Sequence, residues 1–156
     1  MKTLTKKIEV DVSKEEVWEV LFNQFGQVSR FNPLIKGSAH LSGAAGEVGA
    51  TRSCDLNTGG TIKEEIISAE PMTRFEFEII EGSMPMVKKM FAAYSLRPLA
   101  DTRTEVTFIV KFMASPSFMG GIVKMMMGRM FLKMLASLKD YLEIGIEVNQ
   151  GNHTNR

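Results

Sequence analysis

The sequence predicts an α+β fold in which a curved, seven-stranded antiparallel sheet wraps around one long carboxy-terminal helix. Seven short segments have the period-two hydrophobic alternation of strands, and turn residues separate most of them. The only long segment with helical periodicity follows the last of them. Strands segregated from helices are typical of α+β domains. A sheet with a single apolar face is expected to curl around the one long apolar helix.

A strand and two short helices are predicted at the start of the chain. Residues 2–12 alternate between apolar and polar side chains, which indicates the first strand. Ser13 and Glu16 have the spacing of a capping box, and the apolar residues after them have helical spacing. We expect Gly26 to end this helix, and the stretch "QVSRFNP" to form a second short helix that ends at its proline.

Six further strands are predicted between residues 35 and 113. Glycine and proline in the separating segments are turn residues rather than helix interior. The alternation is clearest in the last strand, where Thr104, Val106, Phe108, Val110 and Phe112 share one face. One apolar face and one wet face are typical of antiparallel sheets. The predicted strands are 35–42, 48–56, 61–70, 73–81, 87–98 and 102–113.

The long helix is predicted over residues 116–147, with an apolar stripe that is rich in methionine. The stretch "KMMMGRMFLKML" alone contains five methionines. An ordinary core uses this flexible residue sparingly, whereas adaptable apolar binding surfaces favour it. We interpret the methionines as the wall of a cavity, with plain core packing as the alternative. The stripe comprises Val123, Met127, Met130, Met134, Leu138 and Tyr141, widened by Met126, Phe131, Leu135 and Leu142.

Composition excludes several classes of protein. The 156 residues include 19 basic and 18 acidic side chains, so a binder that neutralises nucleic-acid phosphates is not expected. The amino terminus lacks a signal-peptide pattern, and lysine and arginine interrupt the long helix too often for a membrane span. One cysteine and two histidines predict neither a disulfide nor a metal site, and no cofactor is expected. We expect a cytoplasmic protein that is a monomer or a weak homodimer.

The order of elements resembles the helix-grip fold of the START-like, SRPBCC superfamily, in particular its polyketide cyclase/dehydrase-like bacterial members. The similarity covers roughly residues 3–147 and is carried by "VSKEEVWEVLFNQFGQVSRFNP", "GEVGATRSCDL", "GGTIKEEIISAEPMTRFEFEIIEGSMPM" and the methionine helix. The resemblance implies one ligand-binding domain over residues 1–147, followed by a polar tail over 148–156. It also implies a cavity between sheet and helix, with residues 57–60 and 82–86 near its mouth.

Strand parity identifies polar candidates for that cavity. Arg52 shares a face with Cys54 and Leu56, and Glu64 shares a face with Ile62. If Arg52 and Glu64 both point inward they should pair, because an unpaired buried charge is too unfavourable. The alternative is that one or both side chains reach solvent at the sheet edge. A buried pair could orient a carbonyl, hydroxyl or carboxylate of a ligand.

Parity leaves the strand 87–98 ambiguous, and the resemblance favours Lys89 and Phe91 inward with Met90 outward. Lys89 could then anchor an acidic group of a ligand, although such a lysine is more often solvated. Cys54 is expected to be an inert, buried thiol. The predicted ligand-binding residues are Phe31, Arg52, Cys54, Leu56, Ile62, Glu64, Phe77, Ile79, Met84, Met86, Lys89, Phe91, Phe108, Val110, Met126, Met127, Met130 and Met134.

Three functions are compatible with the sequence. The first is binding of a small hydrophobic molecule, resembling a lipid, a polyketide or an aromatic compound, without chemistry. The second is a cyclase or dehydratase that uses cavity polar groups, for which Glu64, Arg52 and Tyr94 are the catalytic candidates. The third is a module that binds a partner or a membrane through its last helix.

Overall fold

The computed structural model describes residues 1–148 and contains one seven-stranded sheet. The strand order is β1-β7-β6-β5-β4-β3-β2, and every neighbouring pair is antiparallel. The predicted fold class, including the number of strands, is confirmed. The strands are Lys2–Val10 (β1), Ile35–His40 (β2), Thr51–Leu56 (β3), Thr61–Glu70 (β4), Arg74–Glu81 (β5), Val87–Ala100 (β6) and Arg103–Ala114 (β7).

Short helices follow β1, as predicted. Helix α1 spans Lys14–Trp18 and continues as a π-helical turn over Glu19–Asn23. Ser13 Oγ accepts a hydrogen bond from the Glu16 amide at 3.2 Å, so the serine half of the predicted capping box is present. A 3₁₀ helix then spans Phe25–Arg30.

Gly26 lies inside this 3₁₀ helix, so the prediction that it ends the first helix was wrong. A Cβ atom at Gly26 would lie 2.6 Å from the backbone nitrogen of His40 on β2. The glycine is therefore explained by the close approach of two backbones. This approach holds the 3₁₀ helix against β2.

The carboxy-terminal helix packs across the inner face of the sheet. A 3₁₀ turn over Ser117–Met119 leads into α2, which spans Gly120–Ile144 and ends at Gly145 in the left-handed conformation (φ 72°). Within residues 1–148, no helix is long and apolar enough to cross a membrane. Of the predicted polar tail over 148–156, residues 149–156 lie outside the described part. The buried residues of α2 are Gly120, Val123, Met127, Gly128, Phe131, Met134, Leu135 and Leu138.

The apolar core lies between the sheet and α2. The predicted face of β7 is buried, because Thr104, Val106, Phe108, Val110 and Phe112 are each at most 4% exposed. The predicted inward face of β3 is confirmed in the same way, and Ile62 and Glu64 on β4 are also buried. The alternation in the sequence therefore identified the inner face of these three strands.

Strand β6 departs from the predicted orientation. Met90 is buried, whereas Lys89 is exposed and Phe91 is half-buried on the outer side of the sheet. The pairing of β6 with β7 shifts between Val87 and Lys89, which marks a β-bulge at this point. The bulge lets Val87 and Met90 both point inward although their spacing is odd. The prediction that placed Lys89 and Phe91 inward and Met90 outward was wrong.

Candidate ligand-binding site

An apolar groove opens between the turn before β6 and the first half of α2. Its volume is about 160 Å³, and nearly all of its surface is apolar. Met86 and Met126 are both substantially exposed and form its rim. The lining residues are Leu34, Leu56, Asn57, Thr58, Met84, Pro85, Met86, Val87, Val123, Met126, Met127 and Met130.

A smaller cavity lies deeper between the sheet and α2. Its volume is about 40 Å³, which is enough for a water molecule but not for a typical ligand. Leu34, Leu56 and Met84 line both spaces and separate them. The lining residues are Val28, Asn32, Leu34, Ile35, Arg52, Leu56, Ile62, Glu64, Phe77, Met84, Met90, Tyr94, Phe108, Phe131 and Met134.

Methionine side chains occupy much of the space between sheet and helix. Met134 is 2% exposed and Met90 7% exposed, and both line the inner cavity. Small-molecule sites commonly enclose about 300–1,000 Å³, which is more than the groove and the inner cavity provide. A larger guest would require these flexible side chains to change rotamer, which methionine permits better than other apolar residues.

Arg52 and Glu64 form a buried ion pair at the polar end of the inner cavity. Strands β3 and β4 place the two residues directly opposite each other. Arg52 Nε donates to Glu64 Oε1 at 2.9 Å, and Arg52 Nη2 lies 2.8 Å from the same oxygen. The Cys54 thiol also donates, more weakly, to Glu64 Oε1 at 3.5 Å. The predicted inward pairing is therefore confirmed.

Aromatic rings and a backbone carbonyl hold the Arg52 guanidinium in place. Its carbon lies 3.7 Å from the centre of the Phe25 ring and 5.0 Å from that of Phe77. Arg52 Nη1 also donates to the Phe25 carbonyl at 2.9 Å. Burial is the largest influence and would lower the pKa of Arg52, but the charge and hydrogen bond of Glu64, together with smaller contributions from Cys54 and Tyr94, raise the Arg52 pKa above its ordinary value. Arg52 therefore stays charged and fully engaged within the protein.

Two further ionisable groups beside this pair are held in their neutral forms. Burial raises the pKa of the Cys54 thiol to about 12, which excludes a reactive thiolate near neutral pH. Burial likewise raises the pKa of Tyr94 above its ordinary value. The Tyr94 hydroxyl donates to Met134 Sδ at 3.6 Å, and a thioether is a weak acceptor. The Tyr94 hydroxyl therefore remains available for a better acceptor.

The two cavities bring together most of the predicted site residues, but not all of them. Phe31 stacks on Tyr141 at 6.2 Å between ring centres, away from both linings. Cys54, Ile79 and Val110 are also absent from both linings. Lys89 lies 5.2 Å from the centre of the Phe91 ring on the outer face of the sheet. Of the predicted catalytic candidates, Arg52, Glu64 and Tyr94 all line the inner cavity.

Several lining residues were missed by the sequence reasoning. Met90 was missed because the family resemblance placed it outward, although it has the same parity as Tyr94. Asn32 was missed although it belongs to the quoted "FNP" motif, whose asparagine could have been examined as a polar lining group. Asn32 is buried, and its Oδ1 accepts a hydrogen bond from the Leu34 amide at 3.0 Å. This turn directs the Asn32 side chain toward the inner cavity. Leu34 and Val123 were also missed.

The remaining polar residues do not form a metal centre in the part of the chain that the structure describes. Within residues 1–148, no three His, Cys, Asp or Glu side chains converge to hold a metal ion. His40 Nε2 lies 2.9 Å from the Gly43 carbonyl, within its own loop. The second histidine, His153, lies outside the described residues.

Comparison with known proteins agrees with this fold. The family model described as "Polyketide cyclase / dehydrase and lipid transport" matches residues 1–143, so the chain belongs to that family. The fold is that of the START-like proteins, with a curled sheet around a long carboxy-terminal helix. Comparison with curated proteins found no match.

Solved structures of similar proteins share the fold at low sequence identity. A START superfamily protein from Mycobacterium smegmatis is 17% identical, with a TM-score of 0.78 over 90% of this chain and 96% of that one. The di-domain ARO/CYC protein BexL, from the BE-7585A biosynthetic pathway, is 18% identical, with a TM-score of 0.74 over 100% of this chain and 48% of that one. The Aha1 dimer from Colwellia psychrerythraea is 22% identical, with a TM-score of 0.65 over 93% of this chain and 98% of that one.

Proposed function

We propose that residues 1–147 form a domain that binds a small, largely apolar guest carrying a neutral oxygen. The observation that carries this proposal is the apolar groove of about 160 Å³, which shares Leu34, Leu56 and Met84 with the lining of an inner cavity that also contains Arg52, Glu64 and Tyr94. The apolar body of the guest would occupy the groove. Its oxygen would reach the inner cavity. The family description, which includes lipid transport, supports a guest of this kind.

The inner cavity favours a hydroxyl or carbonyl over a carboxylate. Arg52 already pairs with Glu64 and donates to the Phe25 carbonyl, so no unpaired cation awaits an anion there. A carboxylate would place a second negative charge beside Glu64, which is unfavourable in a buried site. The Tyr94 hydroxyl can instead donate to a neutral guest oxygen in exchange for its weak bond to Met134.

Native mass spectrometry of the freshly purified protein tests the proposal, with extraction and analysis of whatever is bound. Titration with naphthalene, naphthol and naphthoate then compares the affinities of three probes of similar shape, which are apolar, neutral with an oxygen, and anionic respectively. We expect naphthol to bind most tightly and naphthoate least tightly. Absence of any bound molecule, together with absence of naphthol and naphthalene binding, would remove the proposal. The same spectra report whether the protein is a monomer or a weak homodimer, as we propose.

Two adjacent positions on α2 provide a matched test of where the guest lies. Val123 is 4% exposed and lines the groove, whereas Ile122 is 49% exposed and does not line it. We expect Val123→Phe to fill the groove and to abolish naphthol binding. Ile122→Phe should leave naphthol binding unchanged. Circular dichroism of both variants excludes loss of the fold, since overpacking can destabilise a core by about 1–3 kcal/mol.

The second candidate function is a cyclase or dehydratase in which Glu64 exchanges a proton with the guest. It is favoured by the position of Glu64 and Tyr94 at the same inner cavity and by the similarity to BexL, which is named ARO/CYC. Glu64→Gln would abolish turnover of a polyketide-like substrate in such an enzyme, while naphthalene binding would persist. Equal product formation by wild type and Glu64→Gln would exclude this candidate.

A further inference from the structure

The first half of α2 presents apolar side chains to solvent on the side opposite the core. Ile122, Met125, Met126 and Leu132 are each about half exposed, and Arg129 and Lys133 are exposed between them. Residues separated by seven positions share one side of a helix, so 122 and 129, 125 and 132, and 126 and 133 lie on the same face. We call these six residues the outer face. Phe118, in the preceding turn, is 83% exposed and extends the apolar surface.

The charges around the outer face are positive and are not paired within the described residues. The chain has no acidic residue from 82 to 100 or from 106 to 139. Lys2 and Lys6 on β1 lie beside Gly120 and Gly128 of α2, where they border the helix. None of Lys2, Lys6, Lys124, Arg129 and Lys133 forms an ion pair within residues 1–148.

The other half of α2 differs in character. Lys139 pairs with Glu143 at 2.6 Å, and Glu143 accepts a hydrogen bond from the Asp11 amide. Strand register places Lys2 beside Phe112 at one end of the sheet, and Glu9 beside Glu105 toward the other end. The outer face lies at the end of the molecule at which the groove opens, since Met126 belongs both to the outer face and to the rim of the groove.

We propose that the outer face, with Phe118, docks on the surface of an anionic lipid bilayer. Apolar residues flanked by lysine and arginine on one helix face are the arrangement of helices that lie in a membrane interface. Unpaired cations are attracted to anionic headgroups, and each contributes to binding. The mouth of the groove would then face the bilayer. This docking does not depend on the apolar guest proposed for the groove.

A protein partner fits the same surface less well. Protein interfaces are enriched in aromatic residues, methionine and arginine, some of which this surface also carries, but they are joined by direct hydrogen bonds as well. None of the six outer-face residues carries a neutral polar group or a tyrosine or tryptophan ring. A second copy of this chain packed through the same face would oppose Arg129 and Lys133 with other cations, with no carboxylate to pair them.

Vesicle sedimentation tests the docking surface. We expect the protein to sediment with vesicles of equimolar phosphatidylcholine and phosphatidylglycerol, to release from them at high salt, and to remain free of vesicles made of phosphatidylcholine alone. Ile122→Ser should lower partitioning onto the anionic vesicles roughly tenfold, because the isoleucine side chain that the bilayer surface would bury is lost. Arg129→Gln should lower it about fivefold.

Matched controls lie at the other end of the molecule. Ile144→Ser, on the same helix and 68% exposed, and Lys14→Gln should leave partitioning unchanged. The proposal fails if anionic vesicles do not bind the protein at low salt, or if Ile144→Ser lowers partitioning as much as Ile122→Ser does. It also fails if sedimentation velocity shows a dimer that Ile122→Ser dissociates. Unchanged naphthol binding by Ile122→Ser separates loss of docking from loss of the guest site.

Discussion

Arg52 and Glu64 face each other across β3 and β4, and one oxygen of Glu64 accepts a hydrogen bond from Arg52 Nε and lies 2.8 Å from Arg52 Nη2. Both side chains are at most 7% exposed. Two charges removed from water are tolerated only because each neutralises the other and because Phe25 contributes its ring and its carbonyl. The pair is therefore a polar group built into an otherwise apolar core.

Removing one member of this pair is expected to destabilise the protein strongly. Glu64→Gln leaves the Arg52 charge buried without a counter-charge, and we expect a loss of about 3–5 kcal/mol in the free energy of unfolding. Replacing both residues, Arg52→Met with Glu64→Met, should cost less than Glu64→Gln alone because no uncompensated charge remains. Urea denaturation of the wild type, Glu64→Gln and the double variant measures the free energy of unfolding of each.

Lys63 provides the control for this experiment on the same strand. Its ammonium group lies 2.6 Å from Glu81 in an ion pair that is largely exposed. Lys63→Gln should therefore leave the urea midpoint nearly unchanged. If Lys63→Gln and Glu64→Gln shift the midpoint equally, burial of the Arg52–Glu64 pair does not determine its contribution.

Tyr94→Phe is expected to weaken binding of oxygen-bearing probes with little effect on stability. The hydroxyl that is lost donates only to a thioether in the ligand-free protein. We expect naphthol affinity to fall roughly threefold to tenfold, the range for one neutral hydrogen bond, and naphthalene affinity to stay the same. Isothermal titration calorimetry measures both. Tyr141→Phe, at a tyrosine outside both cavities, is the matched control; equal effects of the two substitutions would contradict a role for the Tyr94 hydroxyl.

Cys54 is expected to make the protein less stable at alkaline pH. Burial raises the pKa of its thiol from 9.0 to about 12 in the folded state. Between these values the unfolded chain releases the proton while the folded protein retains it, so the free energy of unfolding falls as pH rises. The contribution of this one group is up to about 1.4 kcal/mol per pH unit.

Comparison with Cys54→Ala isolates this contribution, because Tyr94 titrates in an overlapping range in both proteins. The substitution is expected to lower stability at pH 7 by creating a small void, but to flatten the pH dependence between 9 and 12. Urea denaturation over this pH range supplies the slopes. Identical slopes for wild type and Cys54→Ala would show that the thiol is not buried as the structure describes.

Gly26→Ala is expected to disturb the contact between the 3₁₀ helix and β2. The added Cβ would lie 2.6 Å from the His40 nitrogen and 2.9 Å from its Cα, and neither backbone atom can move independently. We expect a loss of about 1–3 kcal/mol in the free energy of unfolding. At Gly121 a Cβ meets nothing within 4 Å, so Gly121→Ala should raise stability slightly through its better helix propensity. Thermal denaturation of the wild type and both variants compares their stabilities. An unchanged stability of Gly26→Ala would contradict the close approach of the two backbones.

Local patterns in the sequence anticipated much of the fold and part of the site. Residues at every second position share one face of β7, and in β3 and β4 apolar residues flank Arg52 and Glu64 at the same spacing. Because the sheet has one buried face, this spacing predicts which side chains point inward. Arg52 and Glu64 were found in this way, since each shares its parity with apolar neighbours that had to be buried. The cap at Ser13 is equally local, because it involves atoms only three residues apart.

The orientation of β6 was assigned from the family resemblance, and that assignment was wrong. From Lys89 to Pro98 the strand pairs with β7 without interruption, so Met90 lies on the same side as Tyr94, and the bulge between Val87 and Lys89 brings Val87 to that side as well. Met90 therefore points inward and Lys89 outward, against expectation. The role of Gly26 could not be predicted locally, because the backbone that it meets at His40 is remote in the sequence.

The sequence alone determined the number and order of the elements and the inner faces of the regular strands. It also determined that a methionine-rich helix lies over an apolar sheet. These depend on short-range periodicity and on the requirement that apolar surface leave water. Only the tertiary structure decides how much empty space remains between the sheet and the helix. That empty volume is the small difference between two large volumes, the one enclosed between sheet and helix and the one occupied by the side chains that fill it. The tertiary structure places the open volume in a groove beneath Met86 and Met126, and leaves about 40 Å³ beside Arg52, Glu64 and Tyr94.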